Sequence, residues 1–165
     1  MKLKKLSTIT LLPLVLLILC QAIVMAESQD HVCTTYITGI GCPNCAATDP
    51  ALLRDYTQEY PELVVLEYEI YTLRSENQET ANQYFENYIP NVRAGVPLIV
   101  FNKEQTELGR FQVLDSKDIV SELESNECPL GDGTSTDFSE LDITSLPGKV
   151  KIWTKNRVLI SGEGG

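Results

Sequence analysis

The stretch Val32-Cys33-Thr34-Thr35-Tyr36-Ile37-Thr38-Gly39-Ile40-Gly41-Cys42-Pro43-Asn44-Cys45-Ala46-Ala47 decides how this chain is read. Val32 to Thr38 is rich in β-branched and aromatic residues, the composition of a strand. Gly39 and Gly41 loosen the turn that follows, and Ala46 and Ala47 favour a helix. Cys42 therefore stands where a strand becomes a helix. Two thiols separated by two residues can close a disulfide and reopen it. A free thiol has a pKa of about 8.5, and a helix N-terminus in a Cys-X-X-Cys motif lowers it to roughly 3.5–7.5, so the thiolate is available as a nucleophile. The pattern points to a redox site. Two other readings fit the four residues alone. A structural zinc site wants four ligands, and the chain has no second Cys-X-X-Cys and a single histidine, His31. An inert structural disulfide predicts no special environment around the pair.

Outward from this stretch, the N-terminus reads as a targeting segment. Lys2, Lys4 and Lys5 precede an almost unbroken apolar run from Leu11 to Ala26, and Val24-Met25-Ala26 offers small residues for cleavage before Glu27. Residues 1–26 are thus expected to be a signal peptide. The competing reading is an uncleaved anchor, because Thr8 to Ala26 is close to the length of about 20 residues that spans a bilayer. A lipidated Cys20 is disfavoured by Leu19, where a small residue is expected. Either way the remainder is expected outside the cytoplasm, secreted, periplasmic or anchored facing outward, where disulfides persist. Removing residues 1–26 takes away three lysines and no acids, so the net charge moves from −10 to −13. Such a surface repels phosphate backbones, so nucleic acid is not an expected partner. Without Cys20, four cysteines remain: Cys33, Cys42, Cys45 and Cys128. They allow three connectivities. If Cys42 pairs with Cys45, Cys33 and Cys128 are left for each other.

His31 to Thr38 reads as the first strand. Cys42 to about Tyr60 reads as a helix with Leu52, Leu53, Tyr56 and Tyr60 on its apolar face, kinked at Pro50. In Leu63 to Tyr71, Val64, Leu66, Tyr68 and Ile70 share one face of a strand while Glu67 and Glu69 face the other way. Ser75 with Gln78 forms a capping box. The helix it opens carries Ala81, Tyr84, Phe85, Tyr88 and Ile89 as a core stripe. Pro97 to Phe101 reads as a short buried strand and Leu108 to Val113 as its return. Asp115 with Asp118 begins a last helix bearing Ile119, Val120 and Leu123. Pro129 to Ser139 reads as a linker. Lys149 to Trp153 and Arg157 to Ile160 pattern as a hairpin across Lys155-Asn156, too small to bury a core of its own. The expected organisation is a domain over 30–128 with a linker and short extension over 129–165.

Over roughly Asp30 to Cys128 the chain resembles the thioredoxin superfamily. Cys42-Pro43-Asn44-Cys45 ends a first strand and starts a helix. Pro50 lies where family members often have the proline that kinks the active-site helix. Gly95-Val96-Pro97, opening a hydrophobic strand, looks like the family's cis-proline loop; on the residues alone Pro97 reads equally as an ordinary strand-starting proline. The resemblance implies that Cys42 is the exposed nucleophile and Cys45 the resolving thiol. It implies that Pro97 sits beside the sulfurs, removes a backbone donor there and so discourages metal capture, and presents the Val96 backbone to a substrate chain, with Pro43 and Asn44 at the same surface.

The chain departs from cytoplasmic thioredoxins in having Gly41 rather than tryptophan before the first cysteine and Pro-Asn between the two. Tyr36 stands where they keep a buried strand aspartate. The Cys-Pro-X-Cys motif looks more like glutaredoxins and the periplasmic disulfide oxidases, without the large helical insertion of the latter. The fold expected from the resemblance is α/β, a mixed four-stranded sheet flanked by helices in the order β-α-β-α-β-β-α. In that topology the start of the first strand and the end of the last helix meet at the edge opposite the active site, which would bring Cys33 to Cys128; the alternative is a buried free Cys33 and an incidental Cys128. The expected activity is thiol–disulfide exchange on exported proteins, without a cofactor, with protein thiols or disulfides as partners. A redox relay or docking module for a membrane partner is the alternative. A copper-handling protein is a third, since soft thiolates suit Cu(I), although the residues after Ala26 include one histidine and no methionine.

Overall fold

The computed structural model describes residues 31–71, 76–155 and 157–160. The targeting segment, Ser75 of the capping box and Asn156 of the C-terminal turn lie outside the described residues. Strand β1 is Val32–Gly39, β2 is Leu63–Ile70, β3 is Leu98–Val100 and β4 is Thr106–Leu108. Helix α1 is Pro43–Asp49 and runs on through a π-helical stretch, Pro50–Tyr56, into a closing turn, Thr57–Glu59. The change of helical register begins at Pro50, which has no N–H to donate to the preceding turn. Helix α2 is Glu76–Tyr88, α3 is Arg110–Asp115 and α4 is Lys117–Glu122. Cys128–Pro129 (β5) and Ser135–Thr136 (β6) form a small separate ribbon, and Val150–Thr154 (β7) pairs with Arg157–Ile160 (β8).

These elements make an α/β architecture: one mixed sheet flanked by helices. The sheet runs β4-β3-β1-β2-β7-β8, with β1 and β2 parallel and every other neighbour antiparallel. The expected four strands are therefore corrected to six. The two additional strands come from residues 150–160, which add to the free edge of β2. Alternation explains why they fit. Val150 and Ile152 lie opposite Tyr68 and Leu66 and join their apolar layer, while Lys151 and Trp153 point to the other face. Asn77 of α2 fixes the join: its amide donates to the carbonyls of Glu69 and Lys149 and accepts from the Lys149 N–H.

Two apolar layers enclose the sheet. On one face Leu52, Leu53 and Tyr56 pack with Val113 and Val120 against Tyr36, Leu63, Val65 and Ile99. On the other, Ala81, Tyr84, Tyr88 and Ile89 pack against Ile37, Leu66, Tyr68, Leu98 and Val100. The stretch expected as a linker is held on this second face: Tyr84 and Tyr88 donate to the carbonyls of Pro129 and Leu130, and Phe138, Leu141, Ile143 and Leu146 cover the layer.

The return strand expected at Leu108 to Val113 is also corrected. The strand stops at Leu108, Gly109 turns with φ 100°, and Arg110–Asp115 is helical. Val113 alone of Arg110–Asp115 is buried, while Phe111 is 70% exposed, so the apparent alternation did not mark a buried face. The last helix begins after Ser116, with Asp118 in its first turn and Asp115 in the helix before it.

Candidate functional site

β1 is parallel to β2 and lies between β2 and β3, so its C-terminal end opens where α1 begins. Ile40 is exposed and Gly41 takes a left-handed turn at φ 80°. Cys42 then caps α1: its N–H donates to the Gly39 carbonyl at 3.1 Å and its carbonyl accepts from Ala46 at 3.0 Å. Pro43 at the first helical position gives up an N–H that would be unpaired there in any case. The pair Cys42 and Cys45 thus stands at the β1–α1 junction.

Both are free thiols, Cys42 half-buried and Cys45 buried. The backbone N–H of Cys45 donates to Cys42 Sγ at 3.2 Å. Cys42 Sγ also lies 3.8 Å from the Val96 carbonyl oxygen. The Val96–Pro97 peptide bond is cis, and Pro97 is buried while Val96 is half-buried. Pro43 and Asn44 are exposed. The structure therefore brings Cys42, Cys45, Pro43, Asn44 and Val96-Pro97 to one edge of the sheet.

Two features distinguish the thiols. Cys42 opens into a cleft of about 270 Å³ lined by Gly39, Ile40, Gly41, Pro43, Ala46 and Asp49. Cys45 faces inward, and its thiol is pushed up to about 12, first by burial and then by its hydrogen bond with Cys42. The nearby Thr38 side chain and Gly39 backbone favour the thiolate and offset part of that shift. A half-buried sulfur backed by a sulfur that keeps its proton is an arrangement consistent with redox chemistry. Ile40 and Tyr71 flank the opening, each 46% exposed. Tyr71 lies against Gly39 so closely that a Cβ there would come 2.5 Å from two ring carbons.

Cys33 and Cys128 lie at the other end of β1. They are joined by a disulfide with Cα atoms 4.8 Å apart, at the beginning of β1. Asn126 supports the same end: its side chain bonds both the N–H and the carbonyl of Cys33, at 2.8 Å each, and the Phe101 carbonyl.

The residue reading missed Thr38, Thr48 and Asp49. Asp49 Oδ1 accepts from the Tyr36 phenol at 2.8 Å and from the Thr38 hydroxyl at 2.8 Å, and Tyr36 also pairs with Thr48 at 2.6 Å. Burial, with the Asp49 charge adding to it, holds the Tyr36 phenol well above its usual range. The signal was present in the spacing. Asp49 is four residues after Cys45 and so on its helix face, and Thr38 is two residues after Tyr36 and so on its strand face.

Among the described residues, no group of three histidine, cysteine or carboxylate side chains could hold a metal, and no helix is long and apolar enough to cross a membrane. Comparison with protein families, with curated proteins and with solved structures gave no match. The class is therefore defined by the molecule itself: an α/β domain with a Cys-X-X-Cys pair at the junction of its first strand and first helix.

Proposed function

We propose that this is a thioredoxin-like thiol–disulfide exchange protein of the extracytoplasmic space, acting on exported proteins. The observation that carries the reading is the asymmetry of the pair. One sulfur opens to a cleft and receives an N–H, and the other is buried three residues along the helix and keeps its proton. The element order from β1 to α4, β-α-β-α-β-β-α-α, and the Val96-Pro97 loop beside Cys42 support the thioredoxin-like assignment. In this reading Cys42 attacks a substrate disulfide and forms a mixed disulfide. Cys45 then attacks Cys42 Sγ, the enzyme disulfide closes, and the substrate sulfur leaves with the electron pair. Oxidation of substrates runs the same steps backwards, and the direction follows the potential, with 30 mV worth about 1.4 kcal/mol. The Val96 carbonyl beside the sulfur, with Pro43 and Asn44 exposed next to it, suits an extended chain as substrate.

The test is reduction of insulin disulfides. The unsubstituted protein turns over, Cys42→Ser does not, and Cys45→Ser accumulates mixed disulfides through Cys42. Absence of both turnover and mixed disulfides would refute the reading. N-terminal sequencing of the exported protein should begin near Glu27. The exposed Ile40 and Tyr71 beside Cys42 favour one narrower version, a relay that docks on a membrane redox partner. Rapid exchange with that partner alone, and none with insulin, would select it.

A further inference from the structure

Three tyrosines meet on the face of the sheet opposite α1. The Tyr68 and Tyr84 rings lie 5.8 Å apart between centroids, tilted by 44°, and Tyr84 stacks on Tyr88 at 5.6 Å. Two of the three phenols have partners. Tyr84 donates to the Pro129 carbonyl at 2.9 Å and Tyr88 to the Leu130 carbonyl at 2.8 Å. The third does not. Tyr68 is 0% exposed, and its phenol oxygen is, among the described residues, the one buried side-chain nitrogen or oxygen without a hydrogen-bond partner. A buried hydroxyl ordinarily has one. Leaving it unpaired costs free energy that an incoming acceptor recovers.

Tyr68 also lines a cavity of about 210 Å³. An apolar cavity of about 150 Å³ takes up benzene, so this one has room for a single ring with a short substituent. Leu130, Leu141, Leu146 and Pro147 give it aliphatic walls and Tyr84 an aromatic one. Mostly apolar walls with a few polar groups are the composition of a small-molecule site. The charged residue on its lining is Asp132, whose carboxyl is held below its usual range by hydrogen bonds from the Thr134 hydroxyl and N–H. That charge disfavours an anion. Burial holds the Tyr68 phenol above its usual range, so the phenol keeps its proton and serves as a donor. The half-buried Leu141 and Leu146 each follow a short 3₁₀ turn. Such a segment yields to an entering molecule more readily than a strand or a long helix.

We propose that this cavity is a binding site for a small neutral molecule, a single ring bearing a carbonyl, whose oxygen accepts a hydrogen bond from the Tyr68 phenol. The site is separate from the dithiol. No residue that lines it lines the cleft of Cys42, and the binding requires no exchange activity.

The test titrates the isotopically labelled full chain with acetophenone and with ethylbenzene, its analogue without the oxygen, and follows the backbone amides by NMR. Acetophenone should shift amides within residues 130–146 and bind at about 1 mM or tighter, the range of an efficient ligand of its size. Tyr68→Phe should weaken acetophenone about tenfold, the scale of one hydrogen bond, and leave ethylbenzene within about twofold. Because no bond within the chain is lost, the melting temperature of Tyr68→Phe should not fall. Failure of acetophenone to bind, or shifts confined to the surroundings of Cys42, would overturn the proposal. An equal effect of the substitution on both ligands would mean that the phenol does not hold the carbonyl, and would overturn it too, as would benzoate binding as tightly as acetophenone. A Tyr68→Phe chain that unfolds, or melts well below the unsubstituted one, would show that the phenol has a partner inside the protein, which is equally fatal.

Discussion

Replacement of both Cys33 and Cys128 by alanine should remove about 5–6 kcal/mol of stability. The bridge links residues 95 apart in sequence, so it closes a loop from the beginning of β1 through α4 to β5. In the chain-entropy model a loop of this length constrains the unfolded state by about 4.7 kcal/mol. Truncating two fully buried side chains adds a packing loss of about 1 kcal/mol, the scale of a deleted methylene group. Total stability of a domain is about 5–15 kcal/mol, so the double variant should be marginal. Urea unfolding monitored at Trp153 measures the effect. The free energy in water should fall by the stated amount, and the slope against urea should rise, because the unbridged chain exposes more surface when it unfolds. Protein reduced while unfolded and refolded under reductant keeps both sulfur atoms, so it should show the entropic part alone. A loss under about 1 kcal/mol in both samples would refute the loop argument.

Three further outcomes are expected. Iodoacetamide should label the native chain carrying Cys20→Ser, reduced at Cys42 and Cys45, once, at Cys42, with Cys45 labelled only after unfolding, because burial pushes its thiol up to about 12. The folded thiol titrates above the unfolded one, at about 8.5, so its contribution to stability is complete below that pH and is lost as pH rises toward 12. Cys45→Ala should flatten the alkaline decline seen in urea titrations. Lys151→Met should cost about 3–5 kcal/mol at neutral pH, because Glu67 is 3% exposed and loses its ion pair. Burial already raises the Glu67 carboxyl, against the pull of Lys151 and Trp153, so the deficit should fade in acid as Glu67 is protonated, which urea titrations in the carboxylate range would record. Gly39→Ala should displace the Tyr71 ring, which a new Cβ would meet at 2.5 Å. Because the ring is nearly half exposed and free to swing, kcat/KM for exchange should fall while the melting temperature moves little.

Segments whose two faces differ were legible in the sequence, and segments defined by a distant partner were not. The alternation of β2, the stripe of α2 and the apolar face of α1 each gave an element and its buried side. Glu67 and Glu69 were read correctly as facing away from the Val64 layer, but nothing in β2 says what meets these two carboxylates on the second face. Their partners are Lys151 and Trp153, more than eighty residues later. The 150–160 hairpin was itself visible; its docking place was not, because backbone pairing to the β2 edge leaves no mark on composition. Residues 108–113 failed for the opposite reason. Phe111 and Val113 alternate, but only Val113 is buried, so their alternation carried no information about a face. The Cys42–Cys45 pair was legible because glycine, proline and alanine mark the turn and the helix around it. The spacing placed Asp49 on the Cys45 face of the helix but not its partners, Tyr36 and Thr38, which come from another element.

β1 shows how the hydroxyls of the site can be told from those of the scaffold. A strand covered on both faces ordinarily reads as a continuous apolar run, yet β1 is buried throughout and carries Thr34, Thr35, Tyr36 and Thr38. Each buried hydroxyl requires a partner. Thr34 donates to the Val100 carbonyl at 2.7 Å and Thr35 to the Pro129 carbonyl at 3.0 Å. Both therefore tie β1 to neighbouring backbone, a role that ends with stability. Tyr36 and Thr38, nearer the thiols, converge instead on one oxygen of one carboxylate. A backbone carbonyl can accept a hydrogen bond but cannot take up a proton, whereas a carboxylate can do both. The same strand thus changes the chemistry of its partners along its length, from fixed acceptors at the disulfide end to a protonatable one at the dithiol end. That change, more than the presence of buried hydroxyls, sets Tyr36 and Thr38 apart from Thr34 and Thr35.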